Sequence, residues 1–597
     1  MSRLLARWRR RNEAGYAAVM VALLVPTVFL GLAAFGVDTA RWYVEMERVQ
    51  KAADAAALAG VTYMPADVTK ATSTAVAVAT KNGYTTGGST TVTVGQGSLP
   101  SQLKVSITTV VTNAFGGAIG TPKQTITRYA VADFTSPAPM GSPCNTFGNE
   151  PPSQPLVAGQ PVAPPGQPGT GSALPTPAFT NCKSDPQFWA AIEGPATDKV
   201  QGDRYMTTPC NTSGTYECTS SKNNETRADG YYWAIHIEPA AVNSPVDVQI
   251  YDPAYVATSI DCSGLPTTAF ANNVNDYTTT DGTARYARGT STYCSGDYNP
   301  GGASGVAPDT TFLLRQQTDT NDPSKAAEIA GCTKQFAGTK TAPNAAALVK
   351  GTGTYNQELA RVFHQWVSLC TFTPTRSGDY YLQVRTNVSL GGTPIANSNS
   401  LASMVYTNNA AASAATGNTA AGVGLNSFSL RAVPAITSNR SQVAVAGWSR
   451  MPILQNASAS TAVFNLIRAL PSARGQYVAF DFYDAADGSG SSGGTVRVIA
   501  PPDATGSIKS GANIANCKGA KNGAAYAAIS NCTVPVTATS HNGQLQHMIA
   551  PIPNDYNCNP ATLGGCWFQV EIKFTGAVTD FTTWDANIGG DPVRLVE

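Results

Sequence analysis

The sequence predicts a mainly β protein: an N-terminal transmembrane helix that runs on into a small α+β domain, then two tandem antiparallel β-sandwich domains. Three observations carry this reading. An apolar run, AGYAAVMVALLVPTVFLGLAAFGV, passes without a break into a polar, alanine-rich helical pattern, DTARWYVEMERVQKAADAAALAG. Short β-branched and aromatic runs separated by Gly, Asn, Asp and Pro fill most of the remainder. All 12 cysteines lie beyond residue 140, an even number suited to a disulfide framework in an oxidising compartment.

Residues 1–13 form a basic tail, with Arg3, Arg7, Arg9, Arg10 and Arg11 preceding the first acid, Glu13. Residues 14–37 contain no charge and reach about 36 Å as a helix, enough to cross a bilayer with some tilt. The positive-inside rule puts the amino terminus in the cytoplasm and the bulk of the chain outside, as a single-pass cell-membrane protein. A cleaved secretory signal, using the small residues Ala34 and Gly36, is the alternative; the apolar run is longer than the usual core of about 7–15 residues. Pro26 removes one backbone bond and is expected to kink the span, and Gly31 and Gly36 offer small surfaces for close packing.

Charged residues make up 13% of the chain, against about 25% in ordinary soluble domains. Without the five amino-terminal arginines and Glu13, 34 basic residues face 37 acidic ones, so nucleic acid is not an expected partner.

After the span, Asp38 with Arg41, Arg41 with Glu45, and Gln50 with Asp54 are spaced to meet on one helical face, which favours continued helix. Val37, Val44, Val49, Ala53, Ala56 and Ala59 mark a narrow stripe that needs a sheet or another helix to cover it. The order of basic start, apolar run and GVDTARWYVEMERVQKAADAAALAG resembles the amino-terminal region of TadE/TadG-like proteins of the Flp (Tad) pilus assembly system. The matching residues are Asp38 closing the span, Gln50 and Asp54, and the run Ala55, Ala56, Ala57, Leu58 and Ala59. The resemblance is specific over some fifty residues and diffuse as far as about residue 135. It implies a bitopic, pilin-like component that meets pilus-machine proteins through this helix. Trp8 stands where substrates of the prepilin peptidase carry Gly five residues before Glu, so a retained anchor is expected.

From Ala71, ATSTAVAVATKNGY reads as a helix closed at Asn82-Gly83, and TTVTVGQ, LKVSITTVVT and TITRYAVADF read as strands. Residues 38–135 are therefore expected to lay a long helix on a small antiparallel sheet, the pilin-like arrangement. Residues 136–180, with PPSQPLVAGQPVAPPGQPGTGSALPTP, read as a semi-extended linker. Residues 181–432 read as one β-sandwich with long loops and 433–597 as a second, on parallels such as GYYWAIHIEP with GQYVAFDFYD and VDVQIYDP with TVRVIAPP.

Close cysteine pairs, Cys210 with Cys218, Cys517 with Cys532 and Cys558 with Cys566, and the longer Cys332 with Cys370, are the disulfide candidates. No CxxC occurs and the four histidines (His236, His364, His541, His547) are scattered, which argues against zinc. Asp487, Ser489 and Ser491 fit the DxSxS of a metal-dependent adhesion site. In DAADGSGSSGGT, between two antiparallel strands, Gly and Ser supply a turn, and no metal centre or cofactor is expected. Asp481, Asp484 and Asp487 lack the DxDxDG spacing of a Ca²⁺ loop. No HExxH or cysteine-nucleophile signature is present, His364 sits in an apolar segment, and Glu238 and Asp252 precede prolines at strand ends. Tyr231, Tyr232, Trp233, Trp366 and Trp448 could stack on sugars, but their place within strands favours core packing.

The expectation is a non-enzymatic structural protein of the cell envelope that assists assembly or anchoring of a Flp/Tad-type pilus. A surface module binding a cell-wall or surface glycan, or another cell, is the alternative. A tethered envelope hydrolase is a more distant one.

Overall fold

The computed structural model describes residues 2–64, 68–97, 102–134, 141–142, 146–148, 188–193, 230–258, 295–297, 309–318, 323–336, 338, 359, 362–364, 366–386, 405–407, 425–436, 442–448, 451–457, 461–485, 493–508, 514–541, 543–559, 565–575, 578–589 and 593–596. The fold is mainly β, with an N-terminal apolar helix and several antiparallel sheets. Two compact units emerge: residues 1–135 with 591–597, and residues 136–590.

In the first unit, α1 (Ser2–Val61) is one continuous helix. It continues through Pro26, and beside it the Thr27 hydroxyl donates to the Leu23 carbonyl (2.8 Å) one turn back. The apolar side chains of this part, including Val21, Leu24, Phe29 and Leu32, are exposed, and the helix is long and apolar enough to cross a membrane. Further on, Val49, Ala52, Ala53, Ala56, Ala57 and Val61 are buried. α2 (Val68–Lys81) covers them with Ala71, Ala75 and Ala79, one residue per turn on one face. It ends where Gly83 adopts φ +93°, a left-handed stop that returns its N–H to the Thr80 carbonyl (2.9 Å).

β1 (Thr91–Gln96), β2 (Gln102–Thr112) and β3 (Lys123–Phe134) form an antiparallel meander, and the short strand Val593–Leu595 adds to the free side of β3. Alternation along β2 turns Leu103, Val105 and Ile107 onto α1, and β3 contributes Ile126, Ala130 and Ala132. The buried helical stripe differs from the sequence reading at the end next to the apolar run. Val37 and Val44 are exposed, because the step from Val44 to Val49 is five residues and crosses from one helix face to another. The stripe proper runs Val49, Ala53, Ala56, Gly60, at steps of four, three and four.

The second unit is built of antiparallel pairings in three sheets. One runs through Glu328–Phe336, Thr310–Arg315, Gly378–Thr386, Tyr231–Ile237 and Val443–Trp448. A longer one joins Trp366–Phe372, Val246–Tyr251, Leu425–Pro434, Phe188–Glu193, Met451–Ala457, Val578–Gly589, Tyr477–Tyr483 and Leu545–Pro551. The third comprises Thr461–Arg468, Trp567–Phe574, Gly494–Ile499 and Thr533–Val536. The pairing is interleaved across residue 433: Val443–Trp448 lies against Tyr231–Ile237, and Phe188–Glu193 bridges Leu425–Pro434 to Met451–Ala457. Residues 486–492 of the DAADGSGSSGGT segment lie outside the described residues.

Candidate functional site

The residues marked by the sequence motif converge where α1 leaves its apolar run and meets the sheet. Asp38, the first charged residue after that run, is 3% exposed. Its carboxylate accepts three consecutive backbone N–H groups from the turn between β2 and β3: Ala114 (2.6 Å), Phe115 (3.0 Å) and Gly116 (2.7 Å). Desolvation pushes its pKa up, but the three N–H donors and the nearby Arg41 outweigh it and hold the group below the ordinary carboxylate value. Gly116 is demanded by the geometry, since a Cβ there would meet the Thr121 carbonyl oxygen at 2.5 Å. One helical turn on, the Trp42 indole N–H donates to Asn113 Oδ1 (2.7 Å), and Asn113 donates to the Thr121 carbonyl (2.6 Å). The Tyr84 hydroxyl closes α2 onto α1 through Glu45 (2.9 Å).

Gln50 and Asp54 form one unit: Gln50 Nε2 donates to Asp54 Oδ1 (2.8 Å) and to the Tyr129 carbonyl of β3 (3.1 Å). Of the alanine run, Ala56 and Ala57 are fully buried, while Ala55, Leu58 and Ala59 are half-buried at the edge of the same core. The motif therefore serves the chain's own helix–sheet seam. The opposite face of α1 presents Tyr43 (67% exposed), Val44, Glu47, Arg48 and Lys51. Its charges pair along the helix, Arg48 with Glu45 at 4.0 Å and Lys51 with Glu47 at 3.5 Å. Asn113, Gly116 and Tyr129 have no mark in the motif; the clue lay in the uncharged, glycine-rich turn NAFGGAIG between two strands.

The second unit bonds Cys332 to Cys370, Cys517 to Cys532 and Cys558 to Cys566. Cys210 and Cys218 lie outside the described residues, as do Asp487, Ser489 and Ser491. Asp503 approaches Cys558 and Cys566, but those sulfurs are bonded to each other, and the carboxylate accepts the N–H of Cys566 (2.9 Å) and of Asn559 (2.8 Å). Tyr231, Tyr232, Trp233, Trp366 and Trp448 are all buried, so none offers a ring face to a sugar.

The acids weighed for hydrolysis are also engaged. Glu238 lies 3.6 Å from His236 Nε2 and 3.5 Å from Arg468; the His236 contact and both positive charges overcome burial and hold it down to about 2. Burial alone would lower the pKa of His236, but Asp379 at 2.7 Å and Glu238 carry it up to about 10. A carboxylate held ionised in this way is unsuited to donate a proton near neutral pH. Asp252 is 2% exposed and accepts the His364 backbone N–H (3.0 Å) and the Ser295 hydroxyl. Beside it, burial and the Asp252 charge raise Asp297 well above its ordinary value, while its carboxylate takes the N–H groups of Val256 (2.6 Å) and Ser427 (2.8 Å). These buried acids tie loops together.

No curated protein matches the chain. A solved structure titled "Structure of infectious bursal disease virus Gx strain" aligns at 7% identity over 68% of this chain and 74% of that one, with a TM-score of 0.07, which carries no argument about fold. Residues 15–67, the apolar run together with the Asp38-to-Gly60 seam, match the Tad family model, described as "Putative Flp pilus-assembly TadE/G-like", and this match supports a pilus-assembly-related role.

Proposed function

We propose that the protein is a membrane-anchored, extracytoplasmic structural component that assists assembly or anchoring of a Flp/Tad-type pilus, without catalysis. The observation that carries this is the division of α1. Its apolar part is exposed and long enough to span a bilayer, and its polar part is fastened to the chain's own sheet by Asp38 and Gln50. That leaves Tyr43, Val44, Glu47, Arg48 and Lys51 as a free face for a helix of the pilus machine. The arginine-rich start and the disulfides of the second unit support placing the bulk of the chain outside the cytoplasm. A photo-crosslinking residue at Val44 or Lys51 in pilus-forming cells should capture a pilus-assembly membrane protein, and one at buried Ala53 should not. Unchanged pilus number in cells lacking the protein would refute the proposal.

A further inference from the structure

We infer that the turn between β2 and β3, residues 113–122, is a second membrane-contacting element that seats Phe115 in the interfacial layer of the bilayer crossed by α1. The inference rests on the reading of α1 as a membrane anchor. Height is fixed by hydrogen bonds: Asp38 immediately follows the charge-free residues 14–37, and it grips the N–H groups of Ala114, Phe115 and Gly116 within 3.0 Å. Three consecutive residues of the turn are therefore held at the depth where hydrocarbon gives way to headgroups.

The chemistry of the turn suits that depth. AFGGAIG, residues 114–120, carries no charge, and Phe115 is 52% exposed with Ala114 and Gly117 exposed beside it. The polar groups nearest the boundary are neutralised within the fold, because the Asp38 carboxylate and the turn's N–H groups satisfy one another. Other aromatic rings lie within about a turn and a half of Asp38 along α1. Trp42 is bonded to Asn113 at the start of the turn and meets the Phe35 ring edge-on at 6.3 Å, and Tyr43 is exposed. Trp and Tyr are favoured at this layer, their apolar bodies toward lipid and their polar tips toward water, and the Phe115 ring beside them gains by leaving water. The neighbouring loop, residues 85–90 (TTGGST), offers a contrast. It follows Tyr84, which is bonded to Glu45 about 10 Å further along the helix from Asp38, and it holds no apolar side chain.

An environment-sensitive fluorescent amino acid placed singly at Phe29, Phe115 and Thr85 tests this in the full-length chain, reconstituted into phosphatidylcholine vesicles with nitroxide-labelled lipids. Phe115 and Thr85 are exposed, so the label leaves the core intact. Expected is strong quenching at Phe29 by deep nitroxides, quenching at Phe115 by headgroup nitroxides several times that at Thr85, and little at Thr85. If Phe115 behaves like Thr85 while Phe29 is quenched, the contact is overturned and the anchor stands. If Phe29 itself is unquenched, the anchor fails and takes the contact with it.

Discussion

Replacing Gly60 with alanine measures how tightly the helix is seated on its neighbours. Two effects favour alanine: a gain in helix propensity of about 1 kcal/mol, and burial of one methyl group, about 0.8 kcal/mol. Against them stands the packing, for a Cβ at this position would lie 2.5 Å from Leu103 Cδ2, 2.7 Å from the Ala71 carbonyl oxygen and 2.9 Å from Ala75 Cβ. Carbon contacts are comfortable at about 3.5–4.0 Å. The Leu103 methyl can turn aside, but the Ala71 carbonyl is backbone of α2 and cannot retreat without carrying Ala75 and Ala79 away from the alanines of α1. Overpacking costs about 1–3 kcal/mol and occasionally more. With a helix to be displaced as well as a side chain, the upper end applies, at about 3–4 kcal/mol. The net expectation is destabilisation of the first unit by about 1–2 kcal/mol, and more for Gly60→Leu. Hydrogen exchange of amides in residues 68–81 and 102–134, in the full chain in detergent, reads this directly as faster opening. Gly31→Ala, with nothing within 4 Å of the added Cβ, serves as the neutral control. If Gly60→Ala slows exchange, propensity has won and the close approach is refuted.

Asp38→Asn keeps the shape and removes the charge, so exchange at Ala114, Phe115 and Gly116 should accelerate several-fold, and further in Asp38→Ala; unchanged protection would sink the docking role. Because the folded pKa of Asp38 is depressed, its contribution is present above the unfolded carboxylate pKa and lost only as pH falls through the lower folded value; protection of these amides should not vary between pH 5 and pH 7. His236 has the opposite sign. With a folded pKa near 10, its contribution through Asp379 and Glu238 is full below about 6.5 and disappears as pH rises through 10, so the urea midpoint of the second unit should fall between pH 7 and pH 10, and more shallowly in His236→Gln. Equal slopes would refute it. Among the disulfides, Cys332–Cys370 closes 38 residues and Cys558–Cys566 closes 8, so paired alanine replacements should cost about 4 and about 2.5 kcal/mol in a chemical melt, in that order. A reversed order would show that loop entropy does not govern them.

What the sequence made legible was whatever depends on neighbours along the chain. The apolar run, the alanine spacing and the period-two alternation of β1 to β3 each follow from side-chain direction, and they coincide with the helix and the sheet. Gln50 and Asp54 were readable as a pair because they are four apart, but the third member, the Tyr129 carbonyl, is a backbone group 79 residues away from Gln50 and has no sequence signature. Asp38 is a stronger case. The motif marks it, yet its partners are N–H groups at positions 114 to 116, which any residue but proline supplies. In the second unit, strand-like runs such as YYWAIHI and DYYLQVRT are visible locally, and their pairing with each other is not: Tyr380 faces Ile235 across 145 residues of chain. The tyrosines and tryptophans illustrate the same limit. Tyr231 and Tyr232 are adjacent, so alternation places them on opposite faces of a strand, and both are nonetheless buried because layers cover both faces.

The marked residues of α1 make mechanical sense once their spacing is compared with the sheet. From Asp38 to Gly60 the helix rises about 33 Å, and β2, eleven residues from Gln102 to Thr112, extends about as far. The helix is fastened near both ends of this span: at Asp38 by charge-assisted bonds to the turn after β2, and at Gly60 by a close approach to Leu103 near the start of β2. Gln50 holds the middle through β3. These fastenings use three different kinds of interaction. The carboxylate suits the place nearest the apolar run, since in a low-dielectric setting a charge met by three aligned N–H donors is held more firmly than a neutral contact. The glycine suits the far end, where α2 folds back and backbone must pass near backbone. Since α1 has no break between Val37 and Asp38, a helix so fastened moves with the sheet as one piece. The apolar segment is continuous with this fastened part, and the exposed face of Tyr43, Val44, Glu47, Arg48 and Lys51 lies on the same unbroken helix.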